Sequence, residues 1–425
     1  MSVVRQSDAE AGFVRANLRW NFIVLSLDFG LFGLGLTLAS LSTVVPAFAE
    51  RLGAPNLLIG ALPAIQTVGW ALPAALAANY IEQQARKLPL VLVVTVWERV
   101  PYLFLGAAAL LLAERQPTTM LALIPLLVAV QSFSGGAIMP AWLDIIAKVI
   151  PVTLRGRFFA VANIVSGLTG VGGAALVGFF LDAYPFPLNY ALCFFACFGA
   201  MVLSFFCLAS TREPAVPPTK PRTNLRTYVR RLPGIVRGDH NFAAYLGVRA
   251  LALTSTMGLY FYTVFALRRL HAQEEQVAVF TFFLLAAQTA STAVWGWLAD
   301  RYGHRVVLLL GLAATVVGSV VAFFATNPQQ LYAAFAMMGA YLGAVSVSHQ
   351  GIILEFSRAE DRPTYVGLVG TLTAPFAFVA PLVGGLLADN VGFAAVFATS
   401  AVAALASLGV LAALVREPRH LAVGG

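Results

Sequence analysis

Gly296-Trp297-Leu298-Ala299-Asp300-Arg301-Tyr302-Gly303-His304-Arg305 is the stretch on which the reading of this chain turns. It is a short charged break between two long apolar runs, residues 276–299 and 306–325. Each run approaches or exceeds the roughly 20 apolar residues that a helix needs to cross hydrocarbon. Within the break, Gly303 suits a tight turn and Gly296 offers room for a neighbouring helix to approach. Arg301 and Arg305 suit the water side of a membrane interface.

Working outward, the same pattern fills the chain. Of its 425 residues, 59% are hydrophobic and only 11% are charged. A water-soluble domain of this size cannot hide so much apolar surface, so lipid is its natural solvent. The apolar runs are 20–48, 56–80, 88–113, 118–147, 158–181, 189–209, 241–267, 276–299, 306–325, 330–355, 363–387 and 391–415. They lack the alternation of barrel strands and read as helices. Residues 1–19 are polar and of mixed charge. The run after them is too long for a signal-peptide core and has no small-residue cleavage site, so it is expected to persist as the first span. The chain is thus read as an all-α membrane protein of twelve transmembrane helices.

Charge supplies an independent check, because Lys and Arg collect on the cytoplasmic side of short loops. With both termini cytoplasmic, the two tails and the even-numbered connections carry 21 of the 27 basic residues. Only Arg51, Arg115, Arg268 and Arg269 fall on the other side, and Arg99 and Arg249 fall within spans. A miscounted span would scramble this asymmetry. The net charge of +8 is therefore a signal of topology and of contact with anionic lipid, with no need of nucleic acid.

The one long polar connection, 210–240, divides the spans six and six. The expected organisation is a six-helix bundle over 1–209, a cytoplasmic linker over 210–240 and a second bundle over 241–425. Pro214, Pro217, Pro218 and Pro221 keep the first part of the linker extended. Leu225, Tyr228, Val229 and Leu232 share a helical face opposite Arg226, Arg230 and Arg231, a pattern that suits a helix lying on the membrane surface. The two halves also echo each other. Gly178-Phe179-Phe180-Leu181-Asp182 ends the fifth run and Gly385-Leu386-Leu387-Ala388-Asp389 ends the eleventh, while 78–87 and 296–305 occupy equivalent connections. Such matches point to duplication and pseudo-symmetric bundles.

The decapeptide at 296–305 resembles the signature loop of the major facilitator superfamily, G-x-L-a-D-R-x-G-R-R, which links the second and third helices of each half. The resemblance implies a gating loop made of Gly296, Asp300, Arg301, Gly303 and Arg305, with Asp300 facing the start of the eleventh span behind Pro363. In the first half Ala78, Glu82, Ala85, Arg86 and Lys87 stand where Gly296, Asp300, Gly303, His304 and Arg305 stand in the second. Glu82, Arg86 and Lys87 keep the acid and the basic pair, whereas both glycines are lost. Pro381-Leu382-Val383-Gly384-Gly385 resembles the end of the family's antiporter motif, but in the eleventh span rather than the fifth.

Ionisable groups inside spans are costly and mark functional sites. Asp28, Arg249 and His349 lie roughly 6–8 residues from the cytoplasmic ends of the first, seventh and tenth spans, a similar depth at about 1.5 Å per residue. By the resemblance these spans line a central cavity, so the three are cavity candidates, or Asp28 and Arg249 form an ion pair that locks the halves. Gln350 adds polarity beside His349. Glu98 and Arg99 are adjacent in the third span and point about 100° apart, so one is expected on the cavity and the other toward a neighbouring helix. Gln131 matches the glutamine of the family's R-x-x-Q-G motif, although Val128 replaces its arginine. Asp144 is expected to join Arg155 or Arg157 near the gate. Tyr260, Tyr262 and Tyr341 are candidate aromatic walls. Cys193 and Cys197 share a helix face without an accompanying His or acid, which reads as packing and not as a metal site.

The function expected is secondary active transport of a small organic, amphipathic solute across a bacterial inner membrane by alternating access. Coupling is to protons through Asp28 or Glu98, and export is preferred over uptake of a sugar, acid or nucleoside. A non-transporting receptor or assembly factor of the same fold is the alternative from another class. No nucleotide-binding loop, zinc spacing or nucleophile elbow is present, so no enzyme activity, cofactor or metal is expected. The chain is expected to act as a monomer whose partners are lipid, protons and the solute.

Overall fold

A computed structural model describes residues 2–81, 83–215, 239–356 and 362–417. Among them no strand occurs, and twelve helices are long and apolar enough to cross a membrane. The first six spans are α1 (Ser2–Leu38), α3 (Asn56–Ile81), α4 (Leu88–Leu112), α5 (Pro117–Val149), α6 (Val152–Ala183) and α7 (Leu188–Ala209). The run read as 20–48 is not one helix. It stops at Leu38, and after a turn a separate short helix, α2 (Val44–Arg51), begins. The hydrophobic pattern alone did not show this break, because both pieces are apolar and α2 is buried.

The seventh span is likewise divided, into α8 (His240–Ser255) and α9 (Leu259–Arg269), by a tight turn at Thr256–Gly258. Ser255 and Thr256 turn their hydroxyls back to the carbonyls of Ala252 and Leu253, and Gly258 N–H donates to Ser400 Oγ at 3.1 Å. Side chains thus meet the backbone groups that the interrupted helix leaves open. The remaining spans are α10 (Gln276–Tyr302), α11 (His304–Phe324), α12 (Gln330–Phe356), α13 (Arg362–Asn390) and α14 (Phe393–Leu414).

Contacts divide the chain into two compact units, 1–39 with 68–223 and 40–67 with 224–425. In the first, α1 packs on α6 and α7, and α4 packs on α5 and α7. Helix α3 meets α5 so closely that Gly136 lies against the backbone of Gly69 and Trp70, where no β-carbon would fit. In the second unit α8 packs on α13 and α14, and α11 on α12 and α14, so the order of packing repeats. Most of the linker, including its amphipathic segment, lies outside the described residues.

The grouping of 40–67 with the second unit has a polar basis. Asp389, at the end of α13, accepts from Asn56 N and Nδ2 at 3.0 and 2.9 Å and from Leu57 N at 2.9 Å. A carboxylate there satisfies the open N–H groups at the start of α3 and faces its positive end. Arg268 donates to Asn56 Oδ1 at 3.1 Å, to Glu50 Oε1 at 3.4 Å and to the carbonyl of Ala54. Arg51 pairs with Glu274 at 3.3 Å.

Candidate functional site

The centre of the first unit holds a cavity of about 220 Å³. Its wall is mostly apolar and aromatic, from Phe29 and Phe32 on α1, Trp70 on α3 and Trp142 on α5. Three ionisable residues border it: Asp28 on α1, and Glu98 and Arg99 on α4. All three are at least 96% buried. Charges so placed persist only when paired and hydrogen-bonded.

Arg99 organises the cluster. Its Nε donates to Met201 O at 2.8 Å and its Nη2 to Ser204 Oγ at 3.0 Å, both on α7. Nη1 donates to Thr95 O at 3.1 Å, to Thr95 Oγ1 and to Glu98 Oε2 at 3.2 Å. Phe32 and Phe205 flank the guanidinium at 5.8 and 5.9 Å from their ring centres. Asp28 Oδ1 accepts from Ser204 at 2.6 Å and lies 4.0 Å from Arg99, and Oδ2 accepts from Trp142 Nε1 at 3.3 Å. Glu98 Oε2 also accepts from Thr95 Oγ1 at 2.9 Å.

The expectation that Glu98 and Arg99 serve different surroundings is therefore corrected. Both border one cavity and they bond each other, because side chains this long bend back over Thr95 and close the angle between their Cα–Cβ directions. Ser204, Thr95 and Trp142 were missed. A hydroxyl four residues before a buried arginine was the available signal for Thr95, as was a tryptophan inside a span rather than at its interface for Trp142.

The other candidates lie elsewhere. Gln131 is buried on α5 one turn before Gly135, off the cavity wall, with Oε1 accepting from Ser132 at 3.1 Å and Nε2 unbonded among the described residues. In the second unit, His349 Nδ1 is bonded to Tyr245 Oη at 2.8 Å, and Arg249 is buried beside Tyr341. Gln350 is exposed. Tyr262 is closed in by Phe335 and Phe397 and serves packing.

Of the gating-loop residues, Lys87 and Arg305 sit at helix starts, whereas Gly296, Asp300 and Arg301 lie in the last turns of α10. Lys87 N and Leu88 N, opening α4, donate to Glu213 at 2.8–2.9 Å, and Lys148 Nζ reaches the same carboxylate at 3.0 Å. Lys87 Nζ pairs with Asp144 at 2.9 Å. Asp144 therefore joins Lys87 and Lys148, not Arg155, whose guanidinium is turned to the carbonyls of Ile150 and Ala147. The second unit repeats the device. Arg305 N, opening α11, donates to Glu417 at 3.0 Å, and the Arg305 guanidinium bonds the carbonyls of Leu411 and Ala412. Gly303, at φ +93°, lies against the Glu417 carboxylate, so a side chain there would meet both a strained backbone and a clash.

Arg301 stacks over Trp297 and Tyr302, and Arg86 is exposed. Glu82 lies outside the described residues. Gly296 corrects its expectation, since no described atom comes within 4 Å of a β-carbon built there. Asp300 is exposed, and its expected approach to the start of α13 involves side chains outside the description. The repeat Arg212-Glu213-Pro214 and Arg416-Glu417-Pro418 was the signal for both carboxylates. Asn21 and Asn241 reinforce it, each exchanging two hydrogen bonds with the backbone of its arginine, Arg212 or Arg416.

The sequence model described as Major Facilitator Superfamily matches residues 250–424, which include the decapeptide. The fold is that of solved members over nearly the whole chain. Against a point mutant of the nucleoside transporter NupG, the TM-score is 0.72 at 12% identity, covering 94% of this chain and all of that one. Against a D-xylose-proton symporter it is 0.71 at 14% identity, covering 94% and 98%. The chain thus matches the major facilitator superfamily in sequence over residues 250–424 and in fold over nearly its whole length. It is a multi-pass integral membrane protein with the superfamily's twelve-helix fold. Among curated superfamily relatives, the efflux pump dotC of Dothistroma septosporum is 32% identical over 149 residues, 34% of this chain. An uncharacterized MFS-type transporter of Mycobacterium tuberculosis is 32% identical over 143 residues, 33% of this chain. The matched stretches span only 25% and 21% of those relatives' own lengths.

Proposed function

We propose that this protein is a secondary active transporter that moves a small organic solute by alternating access, with protons as the coupling ion and export as the direction. The observation that carries the reading is the Asp28–Arg99–Glu98 cluster, buried on the wall of a mostly apolar cavity. A structural lock has no need of a cavity beside it, and an apolar cavity without function has no need of three charges that are costly to bury. A proton is the smallest means of removing a carboxylate's charge when its ion pair opens, which suits Asp28 and Glu98 to coupling. The names of relatives, efflux pumps among them, support transport and lean toward export. The basic loops support both termini lying in the cytoplasm and a place in a bacterial inner membrane.

The test is transport in liposomes. The purified full chain is reconstituted, a pH gradient is imposed, and its dissipation is recorded across a broad solute library, alongside Asp28→Asn and Glu98→Gln. Solute-dependent proton flux that one or both substitutions abolish is expected. Solute movement without proton flux would overturn the coupling, and folded protein that moves no solute would overturn transport.

A further inference from the structure

Glu98 is the carboxylate that the cluster leaves half engaged. Its Oε2 holds the bonds to Thr95 and Arg99, whereas Oε1 accepts no hydrogen bond from any described residue. Oε1 stands over Gly135, 2.6 Å from where a β-carbon would be, on the cavity wall. Asp28 differs, with both oxygens bonded, by Ser204 and Trp142. Arg99 differs too, since all three of its nitrogens are committed to α4 and α7.

Charge completes the picture. Among the described residues two carboxylates share a single guanidinium, and the other titratable groups beside them are Tyr102 near Glu98 and Cys207 near Asp28, neither a cation. With both acids ionised the described residues leave the cavity an unbalanced negative charge, at the oxygen to which none of them donates. An anionic solute would add to that imbalance and find no free cation, and a neutral apolar solute would leave Oε1 unpaired. A compact cation would balance it, and a wall that includes Phe29, Phe32, Trp70 and Trp142 gives a positive headgroup aromatic surroundings.

We propose that the solute is a compact organic cation, recognised by Glu98 and exchanged there for a proton. This rests on the transport reading above. When the cation arrives, the Glu98 carboxyl releases its proton to solvent, and when the cation leaves, a proton returns. Asp28 remains the counter-ion of Arg99 throughout.

The purified full chain is titrated with benzyltrimethylammonium, with its uncharged carbon isostere neopentylbenzene, and with the anion phenylacetate. Quenching of tryptophan fluorescence reads binding, and a pH dye in weak buffer reads protons. The cation is expected to bind at least about tenfold more tightly than the neutral isostere, as a desolvated charge on aromatic faces and a carboxylate implies. Its binding is expected to release protons, and Glu98→Gln to remove both the preference and the release. Equal binding of cation and isostere, or tighter binding of phenylacetate, would overturn the proposal in the unaltered protein whatever the variant does. Proton-coupled flux confined to neutral or anionic members of the library would overturn the cation and leave transport standing. Cation binding with proton release, but no flux of any solute, would leave the cation site and overturn transport.

Discussion

Arg99 is the residue on which the first unit's site depends. Removing its guanidinium in Arg99→Gln leaves two buried carboxylates without a counter-charge, and breaking a buried pair from one side costs about 3–5 kcal/mol. The purified variant is expected to melt well below the parent. Arg99→Lys is expected to recover little of this, because one ammonium cannot reach Met201, Ser204 and Thr95 together. Gly135 makes a finer test. A methyl group at Gly135→Ala would stand 2.6 Å from Glu98 Oε1 and 3.1 Å from Trp70. The nearest atom is the far end of a flexible side chain and the helix tolerates alanine, so the melting temperature should change little, while displacement of the carboxylate weakens cation binding by about tenfold. An unchanged dissociation constant would show that Oε1 is not the contact. Asp28, Glu98 and Arg99 were each legible as costly charges inside apolar runs. Their meeting was not, because it is made by side chains that bend and by partners on α7 that carry no charge.

At the scale of elements, one carboxylate beyond the last span of each half, Glu213 or Glu417, holds the start of that half's third span. Glu213→Ala leaves the N–H groups of Lys87 and Leu88 without their acceptor, a loss of about 1–3 kcal/mol for buried donors. Hydrogen exchange at those amides should accelerate, with the start of α11 unchanged, and Glu417→Ala should do the reverse. Asp389→Ala removes the cap from α3, at a cost of about 0.5–2 kcal/mol. The amides of Asn56 and Leu57 are expected to exchange faster, and protection equal to the parent's would show that α9 and α10 suffice to hold this segment. The division of the seventh span is an element that periodicity could not reveal. A helical pattern in an apolar run continues through a turn whose backbone groups are met by Ser255, Thr256 and Ser400. The same holds where α1 ends and α2 begins.

For the whole molecule, the placement of charge makes a direct prediction. Glu114→Cys, exposed beyond α4, should react with a membrane-impermeant maleimide on intact cells, whereas Thr153→Cys, exposed at the start of α6, should react only after permeabilisation. The opposite pattern would invert the topology. Much of the molecule was determined by sequence alone. Twelve apolar runs, a one-sided distribution of Arg and Lys, and the decapeptide at 296–305 sufficed for the span count and the superfamily, because hydrocarbon thickness and the cost of moving charge across it act on each segment separately. Residues 40–67 grouping with 224–425, and the assembly of Asp28, Glu98, Arg99, Ser204 and Trp142 from four different helices, were decided only by tertiary structure. In an almost uniformly apolar helix the rotation about its own axis is weakly marked. Which side chains meet is then set by close packing at sites such as Gly136 and by the requirement that every buried polar group find a partner.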